Sequence, residues 1–307
     1  MPPEPSVSTA RSRFVSLGGS RRHLLEWGEV GAPVVLLQHG IRDHAHSWTW
    51  VAELLKDRYY VIAPDLRGHG DSDWASDGNY ALASFVIDLA AIADLGGLCD
   101  FAVVGHSLGG QIALRYTAAF PERVRVLVAI EGVELPIIRQ ERDEPRPYPE
   151  RVREWTANEK MRRLQVTRHY PDVASAAKRM QEANPEIDSE TIACLTRAGL
   201  IEEADRGLRW KYDNGCRYRP PEDQRGTDLD EMLAAIICPT VLAYGSNSWI
   251  APPPPTRLAR LTQHRIITFG GAGHWLHHQR RQEFCQLLED FLADPLSTLA
   301  NERDHYA

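Results

Sequence analysis

Apolar residues along this chain gather in short unbroken runs, with helical periodicity between them. Val34-Val35-Leu36-Leu37, Tyr59-Tyr60-Val61-Ile62-Ala63, Phe101-Ala102-Val103-Val104 and the stretches 124–130, 240–244 and 265–269 each read as a strand. A continuous apolar run suits a strand covered on both faces, as in a parallel sheet. Helical patterns fill the intervals at 47–55, 82–95, 112–119, 256–261 and 280–292. Strands alternating with helices predict an α/β fold, a mostly parallel sheet with helices on both faces. Ahead of it, 13–17 and 22–27 predict an antiparallel hairpin that turns at Gly18-Gly19-Ser20.

The alternation breaks between 134 and 226. This stretch opens Pro-rich and charged (Pro136, Pro145, Pro147, Pro149) and continues with helical pieces near 150–167, 172–183 and 189–197. No strong strand run follows until Thr240. The pattern predicts a core of 1–133 and 227–307 and a helical lid or cap of 134–226 inserted over the carboxyl ends of the strands, where open α/β sheets place their ligands. No internal repeat is present.

Composition narrows the function. With 307 residues, 43% of them hydrophobic, the chain can bury one large core with an added lid. A net charge of −7 and a pI near 6.0 argue against a nucleic-acid partner. No apolar stretch approaches the roughly 18 residues of a membrane span. Met1-Pro2-Pro3-Glu4-Pro5 lacks the basic and apolar regions of a signal peptide and reads as a short disordered lead-in. The five cysteines (Cys99, Cys194, Cys216, Cys238, Cys285) show neither disulfide nor metal-ligand spacing. They read as free thiols in a reducing, cytoplasmic setting, with Cys99 and Cys238 packed into the core just ahead of their strands.

The candidate chemistry centres on Gly105-His106-Ser107-Leu108-Gly109, between the 101–104 strand and a helix. A serine at the apex of a sharp strand-to-helix turn is lifted above the sheet edge, and the flanking glycines let the two backbones approach. A serine hydroxyl is a weak nucleophile and needs a base. Imidazole, with a pKa of about 6.5, can take the proton and return it. The chain holds twelve histidines, so position must choose among them.

Four motifs in order resemble the α/β-hydrolase family: His39-Gly40 after the third strand, Asp65-Leu66-Arg67-Gly68-His69-Gly70-Asp71-Ser72 after the fourth, the turn at Ser107, and Gly271-Ala272-Gly273-His274 after the last. The resemblance spans nearly all of the chain outside the lid. It implies Ser107 as nucleophile and His274 as base. It makes His39 a shaper of its turn, His69 a structural residue, and His277 and His278 solvated residues at the start of a helix. The family commonly carries its acid after the strand that follows the lid, but that position here is Ser248, beside Ser246 and Asn247, and none can carry a charge. Branches such as haloalkane dehalogenases and fungal zearalenone lactonases place the acid one strand earlier, which implies Glu131, with Glu134 in reserve. The oxyanion hole would come from the backbone N–H groups of Leu108 and Ile41.

No metal is expected. Asp65, Arg67, Asp71 and Asp73 match no metal loop, and the family uses them as a turn. No cofactor is expected either, since 105–110 lacks the lysine of a phosphate loop. Eight tryptophans stand out, of which Trp249 and Trp275 flank the expected site while Trp155 and Trp210 fall in the lid. Trp275, Arg42 and Trp155 are the candidate substrate contacts. The resulting expectation is a serine hydrolase that cleaves a carboxylic ester or lactone of a small hydrophobic substrate through an acyl-enzyme. Carbon–carbon bond hydrolysis, cofactor-free oxygenation and a hydrolase-like small-molecule receptor are the alternatives. The sequence leaves the oligomeric state open.

Overall fold

A computed structural model describes residues 9–134, 139, 140, 144, 146–164, 166–218, 220–224, 228–301, 305 and 306. The expected lead-in at 1–5, Pro136, Pro145 and the lid boundary at 226 lie outside these residues.

The chain opens with β1 (Arg11–Leu17) and β2 (Ser20–Trp27), then β3 (Val34–Gln38), α1 (Thr49–Leu55), β4 (Tyr60–Pro64), α2 (Leu82–Leu95), β5 (Phe101–His106), α3 (Leu108–Ala119) and β6 (Val124–Ile130). After the inserted segment come α7 (Asp228–Ala235), β9 (Thr240–Gly245), α8 (Pro255–Leu258), β10 (His264–Phe269), α9 (Leu276–Gln279), α10 (Arg281–Ala293), α11 (Pro295–Ala300) and β11 (His305–Tyr306). Nine strands form one sheet in the order β1-β2-β4-β3-β5-β6-β9-β10-β11. β2 pairs antiparallel with β1 and β4, and every other pairing is parallel.

The apolar runs bury both faces of the sheet by alternation. Leu36, Ile62, Val103, Leu127 and Leu242 point to one face, against Phe85 of α2, Ile112 of α3 and Leu233 of α7. Val35, Val61, Val104, Val128 and Val241 point to the other, against Val51 of α1 and Leu288 of α10. Each fully buried side chain of this size contributes about 1.5–3 kcal/mol, so the two layers hold the strand ends in fixed register.

The inserted segment carries α4 (Tyr148–Leu164), α5 (Val173–Ala183) and α6 (Ser189–Gly199). Asp172 and Asp188 cap α5 and α6 by accepting hydrogen bonds from Ser175 N and Thr191 N. The segment also holds what the apolar pattern missed, the hairpin β7 (Leu200–Glu203) and β8 (Gly207–Trp210). Its strands are only four residues long and β8 is half-buried throughout, so no apolar run marks it. Cys238 is buried as expected, but Cys99 is exposed, because it lies in the turn between α2 and β5 rather than under the sheet.

The turn between β5 and α3 is tightly packed. A Cβ on Gly105 would stand 2.3 Å from Gly109 O, and one on Gly109 would stand 2.2 Å from Gln38 O. The partners are backbone of α3 and of β3, both packed in the core, so neither can move aside cheaply. Gly109→Ala should therefore destabilise the protein by about 2–3 kcal/mol or more, read from the midpoint of chemical denaturation. An unchanged midpoint would show that α3 can lift off β3 freely.

Candidate active site

Three neighbouring loops meet at the carboxyl ends of the central strands. Ser107 follows β5, Glu131 follows β6, and His274 lies five residues beyond β10. His106 pairs with Ile130 across β5 and β6, and Ile130 pairs with Ala243 of β9. Ser107 N donates to Ile130 O (2.8 Å) and Glu131 N to Ala243 O (3.0 Å), so the ladder itself fixes both loops.

Ser107 is 5% exposed and sits at φ 53°, ψ −113°. Glu131 also has positive φ, 48°. Left-handed backbone at a non-glycine residue costs free energy and persists only where the surrounding structure fixes it. Here the ladder bonds above fix both residues.

Glu131 is fully buried and accepts three hydrogen bonds. Gly245 N reaches Oε1 at 2.8 Å, while Ser248 Oγ and His274 Nδ1 both reach Oε2 at 2.6 Å. A carboxylate surrounded by donors, one of them an imidazole N–H, fixes the tautomer of His274 and leaves its Nε2 as the acceptor. Glu134, the reserve candidate, is directed elsewhere. It pairs with Arg257 (2.8 Å) and Arg139 (3.3 Å) at the start of the inserted segment.

Leu108 opens α3 directly after Ser107. Gly40 lies against the elbow, since a Cβ there would stand 3.3 Å from Ser107 Cβ, and Ile41 follows it. His39 holds this loop by donating from Nδ1 to Gly40 O (2.7 Å) and accepting at Nε2 from Leu66 N (3.0 Å). His106 donates from Nε2 to His274 O (2.9 Å) and steadies the last loop. Asp65 ties the loop after β4 by accepting from His23 Nδ1, Ala45 N and Asp71 N. Although burial opposes its charge, the hydrogen bond and nearby imidazoles hold Asp65 well below the usual carboxylate range. His23, Asp65 and Asp71 have donor atoms within 4.8 Å of one another. The Asp65 oxygen that would face an ion already accepts from His23 and Asp71, so the cluster fits a structural turn better than a metal.

The histidines expected in solvent are buried instead. His277 is 2% and His278 is 4% exposed. The short helix α9 turns inward, stacking His277 on Trp48 (5.0 Å) and placing His278 Nε2 2.8 Å from Ser47 Oγ. Burial lowers His39 and His278 to about 3 and His44 to about 4, and pushes His106 and His277 well below the ordinary imidazole value.

A cavity of about 630 Å³ opens between the inserted segment and the 41–44 loop; its wall includes Ile41 and Trp275, the latter the chain neighbour of His274. Arg42 and Trp275, two of the candidate substrate contacts, line it. Trp155 does not. α4 packs on the 214–224 stretch, where Arg151 donates to Pro221 O (2.7 Å), and the cavity wall begins only at Val166. Trp249 stands 64% exposed with its ring 5.2 Å from that of His274. Sequence reading missed Ser248 as a donor to Glu131, although a hydroxyl at the usual acid position was the available signal. Asp43, beside Arg42 after the oxyanion loop, lines the cavity, and burial pushes its carboxyl up to about 7.

The model of the alpha/beta hydrolase family matches residues 34–287, and the chain belongs to that family. Among its relatives is a 2-hydroxy-6-oxo-2,4-heptadienoate hydrolase of Pseudomonas putida, 28% identical and covering 94% of this chain and 98% of its own. Epoxide hydrolase A of Mycobacterium tuberculosis is 27% identical over 91% of this chain and 96% of its own. A solved thioesterase domain from the curacin biosynthetic pathway superposes with a TM-score of 0.76 at 27% identity, covering 92% of this chain and 99% of that one. The protein is thus a hydrolase by family, and no described helix is long and apolar enough to cross a membrane.

Five of the buried histidines, His39, His44, His106, His277 and His278, make stability depend on pH. Their folded pKa values lie below the unfolded value of about 6.5, so the unfolded chain binds more protons between that value and about 3. The stability they contribute is present above pH 6.5 and is lost as pH falls. Asp43, raised to about 7, acts in the opposite sense but is one group against five. Denaturant midpoints should therefore fall between pH 7 and pH 5, with each histidine weighing up to about 1.4 kcal/mol per pH unit. A midpoint that holds or rises would mean that these imidazoles titrate normally.

Proposed function

We propose that the protein is a serine hydrolase acting on carboxylic esters or lactones through an acyl-enzyme, with Ser107, His274 and Glu131 as its catalytic triad. The observation that carries this reading is the 2.6 Å contact from His274 Nδ1 to the buried Glu131 carboxylate, one strand from a strained serine elbow. With Nδ1–H committed to Glu131, His274 Nε2 accepts the Ser107 proton as Oγ attacks the carbonyl carbon. The oxyanion rests on the N–H groups of Leu108 and Ile41, each such donor supplying roughly 3–4 kcal/mol. The imidazolium, steadied by Glu131, returns the proton to the leaving alkoxide. A water activated by His274 then releases the acyl group. The inserted segment serves as the lid, and small molecules, with neither nucleic acid nor membrane, are the partners.

A second reading is hydrolysis of a carbon–carbon bond beside a ketone, in which the same attack occurs and a carbanion leaves. The near full-length similarity to the 2-hydroxy-6-oxo-2,4-heptadienoate hydrolase favours it. p-Nitrophenyl esters and lactones on one side and a vinylogous diketone on the other separate the two readings.

A fluorophosphonate probe should label Ser107 of the folded protein. Failure to label would sink the hydrolase reading and favour a receptor. Glu131→Gln should lower kcat by about 10³–10⁴-fold while the thermal melt stays cooperative, and Glu134→Gln should cost far less. Ser248→Asp alone sets a second carboxylate against Glu131 and should also lower kcat. Combined with Glu131→Gln it should recover about ten-fold or more of the lost rate, because the carboxylate then stands at the 248 position instead. No recovery in steady-state rates would count against Ser248 Oγ standing where an acid can serve His274.

A further inference from the structure

The cavity beside the candidate triad is lined by four arginines, Arg42, Arg168, Arg179 and Arg217, and by one acid, Asp43. This concentration of positive charge sits in a chain whose formal net charge is −7, so it is not a sample of the general surface. The four come from separate places. Arg42 follows the oxyanion loop, Arg168 precedes α5, Arg179 lies on α5, and Arg217 follows β8. Arg179 has an exposed carboxylate neighbour in Glu182 at 3.5 Å. Arg42, Arg168 and Arg217 have no ion-pair partner among the described residues, and two of them rest on rings instead. Arg42 lies 5.7 Å over Tyr212 and Arg217 5.2 Å over Tyr218. Stacking on an aromatic face holds a guanidinium in place without neutralising it.

The rest of the wall shows what lies between this charge and the reacting carbonyl. Trp210 and Tyr212 stack at 6.0 Å with an interplanar angle of 16°, and Trp275 stands next to His274. Ile41, Trp210, Tyr212 and Trp275 thus give the same cavity an apolar, aromatic portion beside the arginines. Asp43 is 4% exposed, and its Oδ2 has no hydrogen-bond partner among the described residues. Burial pushes its carboxyl up to about 7, which weakens the one negative charge set against the arginines.

We propose that this cavity receives an anionic group of the substrate, a carboxylate or a phosphate, joined through a flat apolar linker to the carbonyl that Ser107 attacks. The proposal rests on the hydrolase reading above and deepens it by naming the substrate class. It also replaces the expectation of a purely hydrophobic substrate, because the rings account for the linker only. Several guanidinium groups lining one cavity suit the oxygens of a carboxylate or a phosphate, each of which accepts in a fork.

The test compares matched pairs on the purified protein. The mono-p-nitrophenyl ester of glutaric acid is set against p-nitrophenyl valerate, which has the same chain length and no charge. Butyryl-coenzyme A is set against the butyryl thioester of N-acetylcysteamine, which lacks the phosphates. At low salt, one anionic member should exceed its neutral partner in kcat/KM by about ten-fold or more, mainly through KM, and high salt should erode that ratio. The pair that shows the preference identifies carboxylate or phosphate. In the double variant Arg168→Gln, Arg217→Gln the anionic-to-neutral ratio should fall about ten-fold, and Arg168→Lys, Arg217→Lys should retain much of it. A ratio near one in both pairs, or one that the Gln variant leaves unchanged, overturns the proposal. Calorimetric titration of Ser107→Ala with monomethyl glutarate and with coenzyme A reads the anion site without turnover. Binding of either, with the wild-type protein inert toward all four compounds and unlabelled by fluorophosphonate, overturns the hydrolase reading and keeps the anion site. Binding of neither overturns the anion site.

Discussion

The buried carboxylate of Glu131 is the constraint around which the upper edge of the sheet is organised. An ion with no exposed surface is costly unless its oxygens are met by donors. The donors come from three segments far apart in sequence: Gly245 at the end of β9, Ser248 in the loop after it, and His274 beyond β10. Satisfying one charge therefore fixes the loop after β9, the loop after β10 and the orientation of the imidazole together. Glu131 takes a left-handed backbone to reach them, and the bond from its N–H to Ala243 O holds it there.

The neighbouring elbow obeys a steric constraint instead. α3 begins immediately after Ser107 and lies so close to β3 and β5 that only glycine fits at 105 and 109. The two constraints are independent in origin, one electrostatic and one of contact distance. They meet because β5 and β6 are adjacent in the sheet, and that adjacency brings Ser107 and Glu131 to one edge. The inserted segment is anchored to the core by His44 Nε2 donating to Leu195 O, by Lys211 on Asp71 and by Tyr80 OH on Asp213.

Much of this was legible in the residues. The strand runs were visible because a parallel sheet covered on both faces demands unbroken apolar stretches, and β6 begins and ends where its run does. The elbow was visible because its glycines are a local steric requirement. The choice of Glu131 over Glu134 was only half legible, because both acids follow the same strand. What separates them is which partner each meets, an imidazole from β10 or the guanidinium of Arg257. The β7–β8 hairpin escaped notice because its short, half-buried strands leave no periodic trace. His277 and His278 read as polar and solvated, yet α9 turns them inward against Trp48 and Ser47.

By itself the sequence determined the order of β1 to β6, β9 and β10, the elbow at Ser107, the histidine after β10 and the absence of a usable acid at 248. All of these are properties of neighbours along the chain, set by periodicity, sterics and residue type. Only the tertiary structure decided that Ser248 donates to Glu131, that His277 and His278 are buried, that Trp155 lies outside the cavity lining, and that four scattered arginines line one cavity. Those outcomes depend on distances between segments that the sheet order brings together, and no local pattern encodes them.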